Sequence, residues 1–459
     1  MAVLTTDNQK LAEGLKQRRE RLARLIEHPV ILWSGNAVGR NFRANKLPFR
    51  ASSHFLYFAG IPLNNAVIRL SSGRLELFMD NPPPEATLWH GETPNSSEIG
   101  DRLGADAVYP LAELSGKTEG AATIAVQEVN THRQQCQILD RFVASSERAE
   151  GIDLELAKAL VELRSHQDEL ALQELRNAAA VSVEAHQAGM QATKHSTTEA
   201  QIRGAMEGVI IAHNMSCAYN SIVTVHGEVL HNETYNNSIQ PQDLLLADVG
   251  AETANGWAAD ITRTWASGKF SSTQRDIYQV VLKAHDDCIA KLRPGVEYQD
   301  IHLLAAQVIA EGLVDLGILK GNPQDLVDLD AHALFFPHGV GHLLGLDVHD
   351  MEDLGDLAGY EAGRSRSDRF GLGYLRLNRP LESGMLVTIE PGFYQVPAIL
   401  NDSDFRSRYQ DVVNWDRLAQ FSDVRGIRIE DDVLITDSGA EVLTAKLPTK
   451  IEDIENLVV

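Results

Sequence analysis

The chain has 459 residues, 44% of them hydrophobic and 23% charged. That is the balance of a folded chain; a disordered one lacks the apolar surface to offset its ordering entropy. Its formal charge of −23 opposes phosphate backbones and anionic lipid, so neither a nucleic-acid nor a membrane partner is expected. At about 150 residues per domain the length allows two or three domains. Cys136, Cys217 and Cys288 form no CxxC pair, so buried thiols in a reducing, cytoplasmic setting are expected rather than a disulfide framework.

In chain order, the N-terminal segment has no apolar core of signal-peptide length. Leu11, Leu15, Leu22 and Leu25 recur at helical spacing ahead of Pro29, with the basic run 16–24 expected on a solvated face. No apolar run approaches the roughly 18 residues of a membrane span. VILWSG (30–35) reads as a strand, and 66–78 as a β-hairpin around Ser72-Gly73. Residues 81–94 read as a proline-rich loop carrying Trp89, either a core residue or a subunit contact. A helical pattern over 151–165 leads into the second part of the chain.

There, 168–192 reads as a long helix, and Thr198 with Gln201 has the capping-box pattern that opens another, to about His213. Strands follow at 221–225, 243–251 and 256–266, then helices at 273–292 and 299–316. The last strands are 385–394, 426–436 and 441–444. Helices followed by strand hairpins occur twice, which predicts an α/β (α+β) chain whose second part has two similar halves around one sheet.

Chemistry concentrates on these strands. Asp248 ends LLLAD, and Asp260 follows twelve residues later in AADITRT. Even spacing across a turn can place both on one sheet face; because Asn255-Gly256 lies off the midpoint, a bulge or longer loop is expected to bring them opposite. Glu390 stands in VTIEPG, Glu430 in GIRIEDD, and FFPHGVGHLLGLDVHD carries His338, His342 and His349. Each has an ordinary reading alone: a turn cap, a surface turn, a packed loop. Together, four carboxylates in apolar surroundings need compensating positive charge. No lysine stands beside them, so a pair of divalent cations is the natural partner. The donor set suits Mn, Fe, Co or Mg better than a thiolate-type zinc site, and metals roughly 3.5–4 Å apart would acidify a shared water.

The chain resembles the pita-bread metallopeptidases, and among them aminopeptidase P (Xaa-Pro aminopeptidase), with prolidase as close kin. FRASSHFLYFAGIPLNNAVIRL (49–70) is similar to the family's N-terminal domain. VELRSHQDELALQELRNAA (161–179) is similar to the opening of its catalytic domain. AYNSIV through DITRTW, then HGVGHLLGLDVHD, TIEPGFY and GIRIEDD, follow its signatures in order. The resemblance implies a creatinase/aminopeptidase P-type domain over 1–165 and a pita-bread catalytic domain over 166–459. It implies two divalent ions, Mn(2+) foremost: Asp248 on one, Asp260 and Glu430 bridging, His342 and Glu390 completing the second. His231, His338 and His349 would bind substrate and manage charge at the scissile carbonyl. Glu390 would also accept a proton, while Arg428 and Tyr394 would orient ligands, substrate and a bridging hydroxide.

The implied reaction is hydrolysis of the N-terminal Xaa-Pro bond of a peptide with proline second, by a homodimer or homotetramer. Prolidase, which takes the dipeptide, shares every ligand. Creatinase lacks this metal set, methionine aminopeptidase lacks the N-terminal domain, and inactive pita-bread binding proteins typically lose the ligands kept here. Two departures stand out. The Asp248–Asp260 interval is one residue longer than is usual, and the stretches 360–383 and 397–424 exceed those of compact members. Arg164 and Arg379 are candidate substrate-carboxylate or domain-contact residues.

Overall fold

The computed structural model describes residues 6–458; residues 1–5 of the N-terminal reading lie outside them. The chain divides into two compact units. One comprises the described residues of Met1–Ser165 together with 254–256 and 351–358; the other comprises those of His166–Thr253, Trp257–Asp350 and Gly359–Val459. The two short excursions have no counterpart in the sequence reading, because grouping by long-range packing leaves no local signature.

In the first unit, strands Val30–Trp33, Val67–Ser71, Arg74–Phe78 and Ala107–Tyr109 lie in that order in one sheet. The central hairpin turns through Ser72 and Gly73, both at positive φ (51° and 78°), the backbone that matches right-handed strand twist. Ile31, Trp33, Val67 and Phe78 form the core beneath it. The helix Thr6–Leu25 buries Leu15 and Leu22. It also buries Arg18 and Arg19, correcting the expectation of a solvated basic face. Arg18 donates to the Tyr57 carbonyl at 2.8 Å and stacks 4.3 Å over the Tyr57 ring. An arginine stem packs like an aliphatic chain when its head finds acceptors. The 81–94 stretch is not all loop: Ala86–His90 is helical, and Trp89 on it is 76% exposed rather than core.

In the second unit the helices Glu169–Thr193 and Glu199–Ala212 precede one group of strands, and Ser272–Lys291 and Tyr298–Asp315 precede the other. Gln201 Oε1 accepts the Thr198 N–H at 3.3 Å, holding the predicted helix start. The strands form several short sheets rather than one. The 256–266 segment is regular only over Thr262–Ala266. The 385–394 and 426–436 segments each break in two, into Leu386–Ile389 with Gly392–Tyr394, and Gly426–Arg428 with Asp431–Ile435. Among the described residues no helix is long and apolar enough to cross a membrane. All three cysteines are free.

Candidate metal centre

Two hairpins carry the carboxylates. In the first, Leu244–Asp248 runs antiparallel to Thr262–Ala266, with Asp248 opposite Thr262. The pairing continues without a bulge: the Val249 N–H donates to Ile261 O at 3.0 Å, and Glu252 bridges Ala258. A three-residue tip, 254–256, closes it, with the Thr253 N–H on Trp257 O at 2.9 Å. Asp260 therefore stands opposite Gly250, diagonal to Asp248 on the same face. Of the expected bulge or longer loop, the structure has the loop, a three-residue tip without a bulge; the expectation that the two stand opposite each other is corrected, since they are diagonal neighbours.

The second hairpin pairs Ile389 with Asp431 and Gly392 with Arg428. That register sets Glu390 directly opposite Glu430, at the break in both strands. The two hairpins meet where the Glu430 N–H donates to Thr262 O at 3.0 Å and Thr262 Oγ1 donates to Glu430 Oε2 at 2.7 Å. His342 arrives on a segment lying along the same strand: Thr388 N–H donates to His342 O at 3.0 Å, and Glu390 N–H to Val340 O at 2.8 Å. Gly341 permits this approach, since a Cβ there would lie 2.1 Å from the Thr388 carbonyl oxygen.

The resulting cluster is dense in acceptors. Ligand atoms of Asp260, His342 and Glu430, all buried, lie within 4.8 Å of one another. His342 Nε2 is 3.4 Å from Asp260 Oδ2 and 3.8 Å from Glu390 Oε1. Its Nδ1 is 2.9 Å from the Leu343 carbonyl oxygen, which fixes the proton on Nδ1 and leaves the Nε2 lone pair facing the carboxylates. Burial and repulsion from Asp248 push Asp260 up to about 8. Burial carries Glu390 to about 7, and Glu430 is raised by burial and by Asp260. Glu430 Oε1 is buried without a hydrogen-bond partner. A cation accounts for all of these, because it supplies what an acceptor-only cluster lacks.

Sequence reasoning missed Tyr219. Its hydroxyl lies 2.6 Å from both Asp248 Oδ1 and Asp260 Oδ1. A phenol has one proton, so one of these short contacts needs a protonated carboxylate or a cation nearby. Tyr219 stands in the AYNSIV stretch, but only the fold reveals its two partners.

A cavity of about 450 Å³ opens onto the cluster, lined by all five predicted ligands together with His231, His338, His349 and Arg428. Arg428 Nη2 donates to Asp248 Oδ2 at 2.6 Å and Nη1 to Tyr394 Oη at 3.0 Å. The Tyr394 hydroxyl is 2.8 Å from His338 Nε2, and His338 Nδ1 is 2.8 Å from Gly339 O. Burial and the Arg428 charge lower His338 to about 3, so it is neutral, donating from Nδ1 and accepting at Nε2. Burial and Arg428 likewise lower His231. The His349 ring meets His342 edge-on, centroids 4.3 Å apart. Tyr394 is fully buried and does not line the cavity. Its hydroxyl instead bridges His338 and Arg428, two residues that do line the cavity.

Of the two readings of Arg164, burial removes the substrate carboxylate. The side chain is buried in the N-terminal unit, with Nη1 3.0 Å from His54 Nδ1. Arg379 does not line the cavity either; the arginines that do, besides Arg428, are Arg366 and Arg376, beside the exposed Tyr374. These come from the long 360–383 stretch, and Ile399 comes from 397–424, so both long segments border the cavity.

The family model for metallopeptidase family M24 matches residues 173–437, and that for the aminopeptidase P N-terminal domain matches 15–128. A probable Xaa-Pro aminopeptidase of Fusarium vanettenii is 32% identical over 427 residues, 88% of this chain and 86% of that protein. The human Xaa-Pro dipeptidase is 30% identical over 471 residues, 99% of this chain and 93% of that protein. Among solved structures, Pseudomonas aeruginosa aminopeptidase PepP superposes with a TM-score of 0.80 at 28% identity, covering 97% of this chain and 98% of that one.

Proposed function

The chain belongs to metallopeptidase family M24 as an Xaa-Pro peptidase, a metallo-exopeptidase with a pita-bread domain behind an aminopeptidase P-type N-terminal domain, and on that footing we propose that it releases the N-terminal residue from peptides with proline second, using a dinuclear manganese centre. Domains over 1–165 and 166–459, a cytoplasmic location and a homo-oligomer belong to the same proposal. The observation that carries it is the convergence of Asp248, Asp260, His342, Glu390 and Glu430 on one cavity, with a buried Glu430 oxygen that no donor satisfies.

When bound there, two divalent ions would lower the pKa of a shared water to near 7 and polarise the scissile carbonyl. The side chains do the rest. Asp260 and Glu430 are the inner pair, flanked by Asp248 on the first hairpin, by Glu390 on the second and by His342 on the segment beside it. Glu390, a carboxylate lining the cavity, is suited to take a proton from the nucleophile. His231 and His349, on the cavity wall, meet the substrate backbone around the scissile carbonyl, where a donor aimed at the developing oxyanion lowers the barrier. The bond to proline has no N–H, so the anchor other peptidases use is missing. The ring itself must be recognised, and Val396, Ile399 and Leu230 supply apolar wall for it.

A second reading, Xaa-Pro dipeptidase, is favoured by Arg366 and Arg376 on that wall. A dipeptide ends in a carboxylate directly after proline, and a guanidinium is its natural partner. Arg376→Ala is then expected to raise KM for Ala-Pro by about ten- to a hundredfold, the worth of a charged hydrogen bond. Ala-Pro amide should be unaffected; equal losses on both would remove the arginine from carboxylate recognition. The readings separate by product analysis of manganese-loaded protein. Alanine released from Ala-Pro-Ala supports the aminopeptidase, cleavage of Ala-Pro alone the dipeptidase, and survival of both peptides with metal bound contradicts either.

A further inference from the structure

We propose that Glu199, Thr224 and Asn232 act as a positioning relay that fixes His231 at the cavity wall; the proposal rests on the reading of His231 as a substrate-side residue. Glu199 is 0% exposed at the start of the helix Glu199–Ala212. Its carboxylate meets donors alone. Oε1 accepts from Thr224 Oγ1 at 3.0 Å and the Val225 N–H at 2.8 Å. Oε2 accepts from the Asn237 N–H at 3.2 Å and Asn237 Nδ2 at 3.0 Å, the latter also lying 3.1 Å from Oε1. Helix N-termini favour negative charge, so an ionised acceptor suits the position.

The relay runs through one hydroxyl. Thr224 commits its only proton to Glu199, so its lone pairs face the His226 N–H at 2.9 Å and Asn232 Nδ2 at 2.7 Å. Asn232, next in the chain to His231, is itself held at the other end: its Oδ1 accepts from the Thr234 N–H at 3.1 Å and Thr234 Oγ1 at 2.9 Å. Between the strand Ile222–Thr224 and Leu244–Asp248 this stretch has no regular ladder of its own beyond an isolated bridge at Ser238. A second pin lies at its start, where Arg425 Nε donates to Glu228 Oε2 at 2.9 Å and Gly227 packs backbone-to-backbone on Gly426. The side of the loop that leads to His231 depends on the carboxylate. Glutamine at 199 would keep one acceptor oxygen and turn an NH2 group toward donors at the other, so either the Thr224 and Val225 side or the Asn237 side would lose its acceptor.

Placement errors of about 1 Å can lower rates about a hundredfold, and supporting contacts of this kind are typically worth ten- to a hundredfold. Glu199→Gln is therefore expected to lower kcat/KM on Ala-Pro substrates about tenfold while manganese content stays at the wild-type value. Asn232→Ala, which leaves the buried carboxylate its donors, and Thr224→Val, which removes the hydroxyl that joins Glu199 to Asn232, should do the same, and Thr224→Ser should restore the rate. In a His231→Ala background Glu199→Gln should add less than about a twofold loss, since coupled residues are not additive. A full tenfold loss in that background, or equal damage from Thr224→Ser and Thr224→Val, would overturn the relay. So would a His231→Ala single variant with wild-type rate, which leaves Glu199 nothing to act through while the peptidase reading stands. Wild-type protein inactive on every Xaa-Pro peptide overturns both.

Discussion

Asp260→Asn is expected to lower kcat for Xaa-Pro hydrolysis by more than about a hundredfold, and to remove metal binding with it. The magnitude follows from position. Loss of an outer contact to a metal ligand typically lowers affinity or activity ten- to a hundredfold, and Asp260 is at the centre of the site. It is diagonal to Asp248, 3.4 Å from His342 Nε2, and within 4.8 Å of a Glu430 ligand atom. The amide keeps the shape and leaves the Tyr219 hydroxyl with Asp248 as acceptor, so the fold should survive. It also removes one of the repelling carboxylates, so the metal-free variant should melt above metal-free wild type at pH 8. Steady-state rates and metal content report the first effect, and thermal unfolding the second. Retained metal with retained rate would take Asp260 out of the centre.

The metal-free wild-type protein should lose stability as pH rises from about 6.5 to about 8. The sign follows from the protons each state binds. Unfolded aspartate and glutamate titrate near 3.9 and 4.3, whereas burial and mutual repulsion carry Asp260 up to about 8 and Glu390 to about 7 in the folded chain. Between about pH 6.5 and pH 8 the folded state holds carboxyl protons that the unfolded state has released, so stability falls with pH across that window; below it the buried histidines, His186, His302, His332 and His338, stay neutral where unfolded histidine is charged, and they oppose the trend. Below about pH 4 the stabilisation from protonation is complete; above about pH 8 it is gone. Metal inverts the trend, since ions bind the deprotonated ligands and their affinity rises with pH. Melting of chelator-treated protein should drop by on the order of 5 °C or more over the window, with the gap to manganese-loaded protein widest at pH 8. A flat profile in the chelated protein would mean the carboxylates do not share one buried site.

Much of the site was legible because its residues sit in short segments whose local chemistry is unusual. A carboxylate after LLLA, or among alternating isoleucines, marks itself by the cost of burying it. Even spacing from Asp248 to Asp260 sets both on one face because the tip, 254–256, has an odd number of residues; a two-residue turn would set them on opposite faces. The breaks at Glu390 and Glu430 were not legible, because Ile427 and Ile429 alternate as a continuous strand would; the register that sets the two glutamates opposite each other is a property of two strands together. Tyr219, Arg366, Arg376 and Glu199 escaped for a related reason. Each is ordinary in its own segment and acquires its partners only through contacts distant in sequence. For Arg164 only one of two readings fails: an arginine at a helix end reads as available for a substrate anion or for a domain contact, and burial with His54 removes the first. Arg18 and Arg19 were misread as solvated for the same reason, since periodicity registers charge and not the carbonyl acceptors that let a guanidinium be buried.

The most direct test is a manganese titration of chelator-treated protein, following bound metal and alanine release from Ala-Pro peptides in the same samples. Five converging ligands with an unsatisfied Glu430 oxygen predict that activity appears with metal and that both curves saturate at two ions per chain. Saturation of both at one ion, or alanine release that persists without metal, would contradict the dinuclear account.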